Sequence, residues 1–341
     1  SRGRSRSRSR SRGPPLVRRV LVTGGAGFIG AEVVRALLAA GHDVSVLALP
    51  GEDTSRLAGL EVRLLRGDMR SPEVIRAALR GQSWLFHVAA LYSLWAPRAL
   101  LYDVNVEGTR TVLEAALAEG VERVVHTSSI AVFGGQGPGV DATEESPYAL
   151  GTRDPYAHSK FLSHGVALSF VRRGLDLVIV APTGPLGPGD RGQTGQLLLD
   201  ALRNPVALAP RCEVNVADVR VMAAGHLLAA ERGRTGESYL LGDHNLRLGA
   251  LVRRAIELAG LRKPVLELPT AALLPLAHVL AGAAQLSGGR PPFTPAAVHI
   301  TRFGLRADPA KARRELGLPS RPLDETLRDV LAELRALGCL P

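Results

Sequence analysis

The chain has 341 residues, enough for one large domain or two moderate ones with a sizeable core. Hydrophobic residues make up 46% and charged residues 22%, which excludes disorder or a fibrous repeat over most of the length. The net charge of +10 is uneven. Arg2, Arg4, Arg6, Arg8, Arg10 and Arg12 crowd residues 1–13 with no acid among them, so the remainder is near neutral for its size and carries no basic groove signature.

Residues 1–16 read as an Arg/Ser-rich tail that cannot build a core and is expected to be disordered. Nucleic acid is a partner only through that tail. With no aromatic residue interleaved to stack on bases, an inert appendage is the simpler reading. The tail also lacks the apolar centre of a signal peptide. Two cysteines, Cys212 and Cys339, cannot make a disulfide framework, and neither sits in a metal-ligand spacing. No metal is therefore expected, and a reducing, cytoplasmic location follows. Residues 271–286 are the best membrane candidate, but they are too few to span a bilayer and contain Pro275 and His278, so a buried or interfacial helix is expected.

The first strand is predicted over residues 19–23 (RVLVT), followed by the glycine cluster GGAGFIG and a helix over 31–40. Further strands are expected at 44–49, 62–65, 84–89 and 121–127. A helix opens after Ser71-Pro72, and one long helix is expected over 100–119. Asp154-Pro155 opens another helix that runs to about residue 173, ahead of a sixth strand at 175–181. This alternation predicts an α/β doubly wound parallel sheet of the Rossmann kind, with a ligand site outside the carboxyl ends of the strands. Residues 17–181 form the expected nucleotide-binding domain. Residues 182–341, opening with the Gly/Pro-rich PTGPLGPGD, form a mainly substrate-binding part with a soft boundary that leaves room for interleaving.

Between the first strand and first helix, Gly24 permits a tight turn, Gly27 lets backbone approach a pyrophosphate, and Gly30 lets helix and strand pack closely. Asp68, after the third strand, is placed either to accept from an adenine amino group or to cap a helix. The end of the second strand reads Leu47-Ala48-Leu49, without the acid that usually holds the ribose of NAD. That leaves NAD or NADP open with a lean to NADP. Arg56 could reach a 2′-phosphate or be an ordinary solvated side chain. Tyr156 and Lys160, one helical turn apart, join Ser129 just after the fifth strand. An ammonium beside a phenol lowers its pKa and a serine can hold a substrate oxygen, which suits proton transfer at a carbinol while hydride moves to or from nicotinamide. Tyr92, Leu94 and Trp95 follow the fourth strand and face either substrate or a hydrophobic lid. His87 and His126 read as packed residues rather than ligands, and His158 and His164 as helix-surface positions.

These motifs resemble the extended short-chain dehydrogenase/reductase family. The resemblance is carried by TGGAGFIG, GDM, FHVAA at residues 86–90, NVEGT at 105–109, TSS at 127–129, YAHSK with Tyr156 and Lys160, and APTGPLGPGD at 181–190. VNVADV at 214–219 and DPAKARRELG at 308–317 extend it over residues 17–338. Within that family the chain looks most like the dihydroflavonol-reductase-like NAD-dependent epimerases and the hopanoid-associated sugar epimerase group. The resemblance implies that Tyr156 is the acid/base, Lys160 binds the nicotinamide ribose, Ser129 polarises substrate, Pro182 and Thr183 line the nicotinamide pocket, and Asn105 braces the neighbourhood. The cofactor-binding set it implies is Gly24, Gly27, Phe28, Ile29, Gly30, Arg56, Asp68, Met69, Ala89, Tyr156, Lys160, Pro182 and Thr183. The substrate set is Tyr92, Trp95, Ser129 and Tyr156. Phe133 replaces a tyrosine common in sugar epimerases, and a homodimer is implied.

The expected function is an NAD(P)-dependent oxidoreductase or epimerase acting on a small-molecule substrate, a secondary alcohol or ketone such as a nucleotide-sugar. Two alternatives stand beside it. One is an NADPH-dependent reductase of a hydrophobic ketone, dihydroflavonol-reductase-like or 3β-hydroxysteroid-dehydrogenase-like. The other is a cofactor-sensing binding protein that uses the tail to hold nucleic acid.

Overall fold

The computed structural model describes residues 17–93, 96–287, 298 and 304–340. Seven parallel strands form the central sheet: β1 (Arg19–Thr23), β2 (Asp43–Ala48), β3 (Arg63–Arg66), β4 (Trp84–His87), β5 (Arg123–Thr127), β6 (Leu177–Pro182) and β10 (Ser238–Leu241), in the order β10-β6-β5-β4-β1-β2-β3. The order reverses between β1 and β4, and this is where a crevice opens at the carboxyl ends. The register aligns those ends. Thr23 pairs with Leu47 and His87, His87 with His126, and Thr127 with Val180.

Strands buried on both faces need apolar residues on both, and β1 shows it. Val20 and Val22 pack against α1 (Phe28–Ala39) and α7 (Val219–Arg232), whereas Leu21 joins Leu85, Val112, Leu113 and Phe170 on the opposite side. That opposite layer contains α2 (Pro72–Leu79), α4 (Gly108–Ala118) and α5 (Pro155–Arg172). A separate core, including Leu198, Leu202, Val216, Leu251 and Leu327, gathers α6 (Gln193–Arg203), α8 (Leu248–Leu258), β9 (Glu213–Asp218) and the helix Leu323–Ala336. The chain beyond residue 182 thus builds this second cluster and also returns β10 to the sheet and α7 to its face.

The long helix expected over 100–119 is interrupted. A short α3 (Arg98–Tyr102) passes into a π-helical turn, Asp103–Glu107, before α4 begins. One extra residue in a turn shifts the face on which side chains emerge, and periodicity alone does not reveal it. Over the membrane candidate, α9 (Thr270–Ser287) is helical and carries Pro275 inside it. Among the described residues no helix is long and apolar enough to cross a membrane.

Candidate active site

The glycine loop is built by close approach. Gly24 has φ +72°, and a Cβ there would stand 2.6 Å from the backbone of Ala89, just beyond the end of β4. A Cβ on Gly30 would stand 2.0 Å from Gly24 O, so only glycine lets α1 start so near β1. Gly27 donates to Gly24 O at 3.0 Å and caps α1 without a side chain, and the first turn of α1 carries no acid. The loop therefore leaves the positive end of the helix open toward the crevice, and bare backbone makes a cradle that a diphosphate fits. Phe28 opens α1, with the Arg56 guanidinium 5.6 Å from its ring centre, and Ile29 packs partly buried on the α1 side of the core. Ala89 and the buried Met69 line the same side of β4. A Cβ on Gly108 would lie 3.1 Å from Met69 Cε, so α4 approaches closely there.

Two expectations for this half are corrected. Asp68 does not cap α2. That role falls to Ser71, whose Oγ accepts from Val74 N, while both Asp68 oxygens receive Arg70, at 2.6 Å for Oδ2. The Arg70 guanidinium is the main cause holding the Asp68 carboxyl below its ordinary range. Arg56 is not a freely solvated side chain either, because it donates to Gly189 O at 2.6 Å and ties the β2–β3 connection to the loop after β7 (Gly184–Leu186).

On the other side of the crevice, Asp154 caps α5 by accepting from Ala157 N at 2.7 Å, and Pro155 fills the first helical position. Tyr156 is thereby fixed in the first turn, with its ring edge-on to Tyr92 at 4.8 Å. Ser129 follows β5, accepts from Ala131 N at 3.2 Å, and lies near enough to the Tyr156 phenol to favour its ionised form. Burial pushes the Tyr156 phenol up to about 12, partly offset by Ser129. This differs from the lowered value expected from a neighbouring ammonium. Lys160 is 2% exposed and donates to Thr127 O at 2.7 Å, and burial lowers it to about 8.

Around Lys160 lies a set of neutral histidines. His87 is hydrogen-bonded to Thr23 Oγ1 at 2.8 Å and Thr109 Oγ1 at 3.1 Å, and burial lowers it to about 3. His126 lies against it with ring centres 5.3 Å apart and planes tilted by 31°, is 1% exposed, and has no hydrogen-bond partner for either ring nitrogen among the described residues. His226 joins Thr127 Oγ1 at 3.0 Å and is lowered to about 4. His164, expected on the helix surface, is buried against Ser128 Oγ at 3.0 Å and Phe133, because α5 turns that face onto the segment that follows β5. Phe133 itself lies in a small core with Ile130, Val132 and Leu240 and does not line the crevice.

Pro182 ends β6 and Thr183 follows it, with Thr183 donating to Leu241 O from both its backbone nitrogen and its hydroxyl. Asn105 sits on the π-turn and is buried. Its Oδ1 accepts from Leu91 N at 2.7 Å, and its Nδ2 donates to Leu91 O and to Ser159 Oγ. It pins the segment after β4 to α5. Half-exposed Tyr92 donates to Gln193 Oε1 at the start of α6. Gln193 had no sequence signal, because its role exists only once α6 folds over the β4 exit. Trp95 and Leu94 lie outside the described residues. Among those residues no group of three or more His, Cys, Asp or Glu side chains could hold a metal ion.

The chain is similar to known proteins in sequence and in fold. Residues 20–242 match the NAD dependent epimerase/dehydratase family. A Synechocystis sp. protein named after dihydroflavonol 4-reductase is 37% identical over 91% of this chain and 92% of its own length. The sterol demethylase protein B of Methylococcus capsulatus is 34% identical over 94% and 99%. The crystal structure of DesIV, a dTDP-glucose 4,6-dehydratase from Streptomyces venezuelae with NAD and TYD bound, superposes with a TM-score of 0.76 at 26% identity, covering 93% of this chain and 97% of that one. The chain belongs to the NAD dependent epimerase/dehydratase family, within the extended short-chain dehydrogenases/reductases.

Proposed function

We propose that this protein interconverts a secondary alcohol and a ketone on a small molecule, with Ser129, Tyr156 and Lys160 as its working groups. The observation that carries the reading is their assembly at the carboxyl ends of β5 and β6, across the crevice from an open glycine loop. A nicotinamide dinucleotide, when bound on that loop, supplies or accepts the hydride. The Ser129 hydroxyl holds the substrate oxygen. The Tyr156 phenol, kept protonated at neutral pH by burial, gives its proton to that oxygen as the alcohol forms and takes it back in the reverse direction. Lys160, placed one turn along α5, orients the ribose beside Tyr156 and carries a charge that burial makes easy to surrender.

The similarity to reductase-named and sterol-related proteins supports a carbonyl on a hydrophobic skeleton as the substrate class. Purified protein incubated with NADH or NADPH and a panel of cyclic ketones, including a 3-keto steroid and a dihydroflavonol, is expected to consume reduced cofactor and release an alcohol. Binding of dinucleotide without turnover on any ketone would remove this substrate class. The likeness to the NAD-bound DesIV favours a second reading, in which a nucleotide-sugar is oxidised and reduced without loss of the dinucleotide. Mass spectrometry of the denatured protein distinguishes them. Retained dinucleotide near one per chain supports the second, and an empty supernatant supports the first.

A further inference from the structure

Two sequence motifs, FHVAA at residues 86–90 and NVEGT at 105–109, have no role in the proton transfer above, yet their side chains meet. His87, the last residue of β4, is buried between Thr23, the last residue of β1, and Thr109 in the first turn of α4. Its Nδ1 lies 2.8 Å from Thr23 Oγ1, and its Nε2 lies 3.1 Å from Thr109 Oγ1. Thr23 leads directly into Gly24 and the glycine loop, so this one ring joins the loop to the α4 side of the sheet.

Elimination assigns every hydrogen on this path. Thr109 Oγ1 donates its one hydrogen to Asn105 O at 2.7 Å, because a carbonyl only accepts. Toward His87 it must therefore accept, so Nε2 carries the imidazole hydrogen. Burial keeps the ring neutral, lowering it to about 3, and Nδ1 is left bare to accept from the Thr23 hydroxyl. The Thr23 oxygen in turn accepts from Ala89 N at 3.5 Å. Beyond Asn105 the path continues, with Asn105 Nδ2 donating to Ser159 Oγ at 2.9 Å and Ser159 Oγ donating to Tyr156 O at 2.7 Å. A polarised chain thus runs from the foot of the glycine loop, through His87 and the π-turn, to the backbone of Tyr156. His126, with its ring centre 5.3 Å from that of His87, offers no parallel route, since neither of its nitrogens has a partner among the described residues.

We infer that His87 is a positioning residue that holds the glycine loop and Tyr156 in register, one ring nitrogen serving each side. Resting on the alcohol–ketone reading above, His87 acts through Thr23 on the dinucleotide side and through Thr109, Asn105 and Ser159 on the side of the phenol. In a buried chain no bulk water replaces a missing link, so loss of one bond loosens the element it tethers. The two sides are separable. An asparagine amide reaches the place of Nδ1 and can accept from Thr23, whereas a glutamine amide reaches the place of Nε2 and can donate to Thr109.

The test combines calorimetric titration of the full chain with NADH and NADPH, kcat over the panel of cyclic ketones, and melting temperatures, for wild type, His87→Leu, His87→Asn and His87→Gln. His87→Leu is expected to weaken dinucleotide binding and to lower kcat by about tenfold each, as for one net hydrogen bond lost per side. His87→Asn is expected to recover affinity more than kcat, and His87→Gln to recover kcat more than affinity. A merely structural histidine would lower the melting temperature without that split. Nitrogen-15 spectra of histidine-labelled wild type, with the His87 signal identified by its loss in His87→Asn, are expected to show the Nε2–H tautomer. An Nδ1–H tautomer, wild-type affinity and kcat in folded His87→Leu, or equal recoveries in the two amide variants would each overturn the role of His87. Binding of neither dinucleotide by wild type would overturn the dinucleotide reading and this role with it. Binding without turnover of any ketone would overturn the reaction alone, and the affinity order, His87→Asn above His87→Gln, would still decide the role of His87.

Discussion

Lys160 Nζ donates to Thr127 O at 2.7 Å from a position only 2% exposed, so the ammonium is anchored to the end of β5, with the buried His87 and His126 pair near enough to feel its charge. A lone cation in such a place is held at a cost, and that cost has a pH signature. Burial lowers Lys160 from 10.5 to about 8. Between those values the unfolded chain binds the proton and the folded chain does not, so stability rises with pH across the window. The gain is on the order of 3 kcal/mol.

Lys160→Met removes the titrating group. Its urea stability is expected to equal or exceed that of wild type near pH 8, and the rise toward pH 10 seen in wild type is expected to flatten. Parallel pH profiles for the two proteins would contradict the burial of a charged lysine.

The histidines act at the other end of the scale. His87 is lowered to about 3, and His164 and His226 to about 4, all by burial. Their contribution is complete above the unfolded value of 6.5 and is lost as pH falls toward the folded values, since the unfolded chain takes up the protons first. Chemical denaturation is expected to show stability falling steadily between about pH 6.5 and 4.5, before most carboxylates titrate. A flat profile over that interval would mean that these rings are not held neutral.

Gly30→Ala is a sharp probe of the glycine loop, because its Cβ would sit 2.0 Å from Gly24 O. The backbone must move at the start of α1. A destabilisation of about 2–4 kcal/mol is expected, with dinucleotide binding lost even at temperatures where the variant remains folded. Calorimetry paired with a melting curve reads both effects. Wild-type affinity in this variant would show that the loop does not hold the diphosphate.

Asn105→Ala leaves Leu91 N, Leu91 O and Ser159 Oγ without the partner that now joins them. The expected loss is about 2–4 kcal/mol, as for a buried polar network left part-satisfied. Because Leu91 adjoins Tyr92, kcat is expected to fall as well. Asn105→Asp, which keeps the acceptor for Leu91 N, should retain more stability than Asn105→Ala. Equal melting temperatures for wild type and Asn105→Ala would remove the bracing role.

The central sheet was legible because its strands are short, mostly apolar runs, several of them β-branched as in β1, β5 and β6, and because α2 and α5 open with their own signals at Ser71-Pro72 and Asp154-Pro155. The glycine loop and the Tyr156–Lys160 spacing were legible for the same local reason. What the sequence did not show depends on partners far along the chain. Lys160 meets Thr127 across 33 residues, Arg56 meets Gly189 across 133, and Tyr92 meets Gln193 across 101. The π-turn that places Asn105 breaks a helical period without any glycine or proline to announce it. The direction of the Tyr156 shift was misjudged because spacing on a helix locates Lys160 near the phenol but does not say that its ammonium turns to Thr127.

The central claim is that the Tyr156 phenol moves the proton while hydride passes between dinucleotide and substrate carbon. The most direct measurement compares wild type and Tyr156→Phe in ketone-dependent oxidation of the reduced dinucleotide, with dinucleotide affinity measured on the same samples. We predict near-equal affinity, an unchanged melting temperature and a kcat reduced by about 10²–10⁴-fold, the range for loss of a positioned acid/base. A Tyr156→Phe protein that binds the dinucleotide and turns over at the wild-type rate would contradict the account.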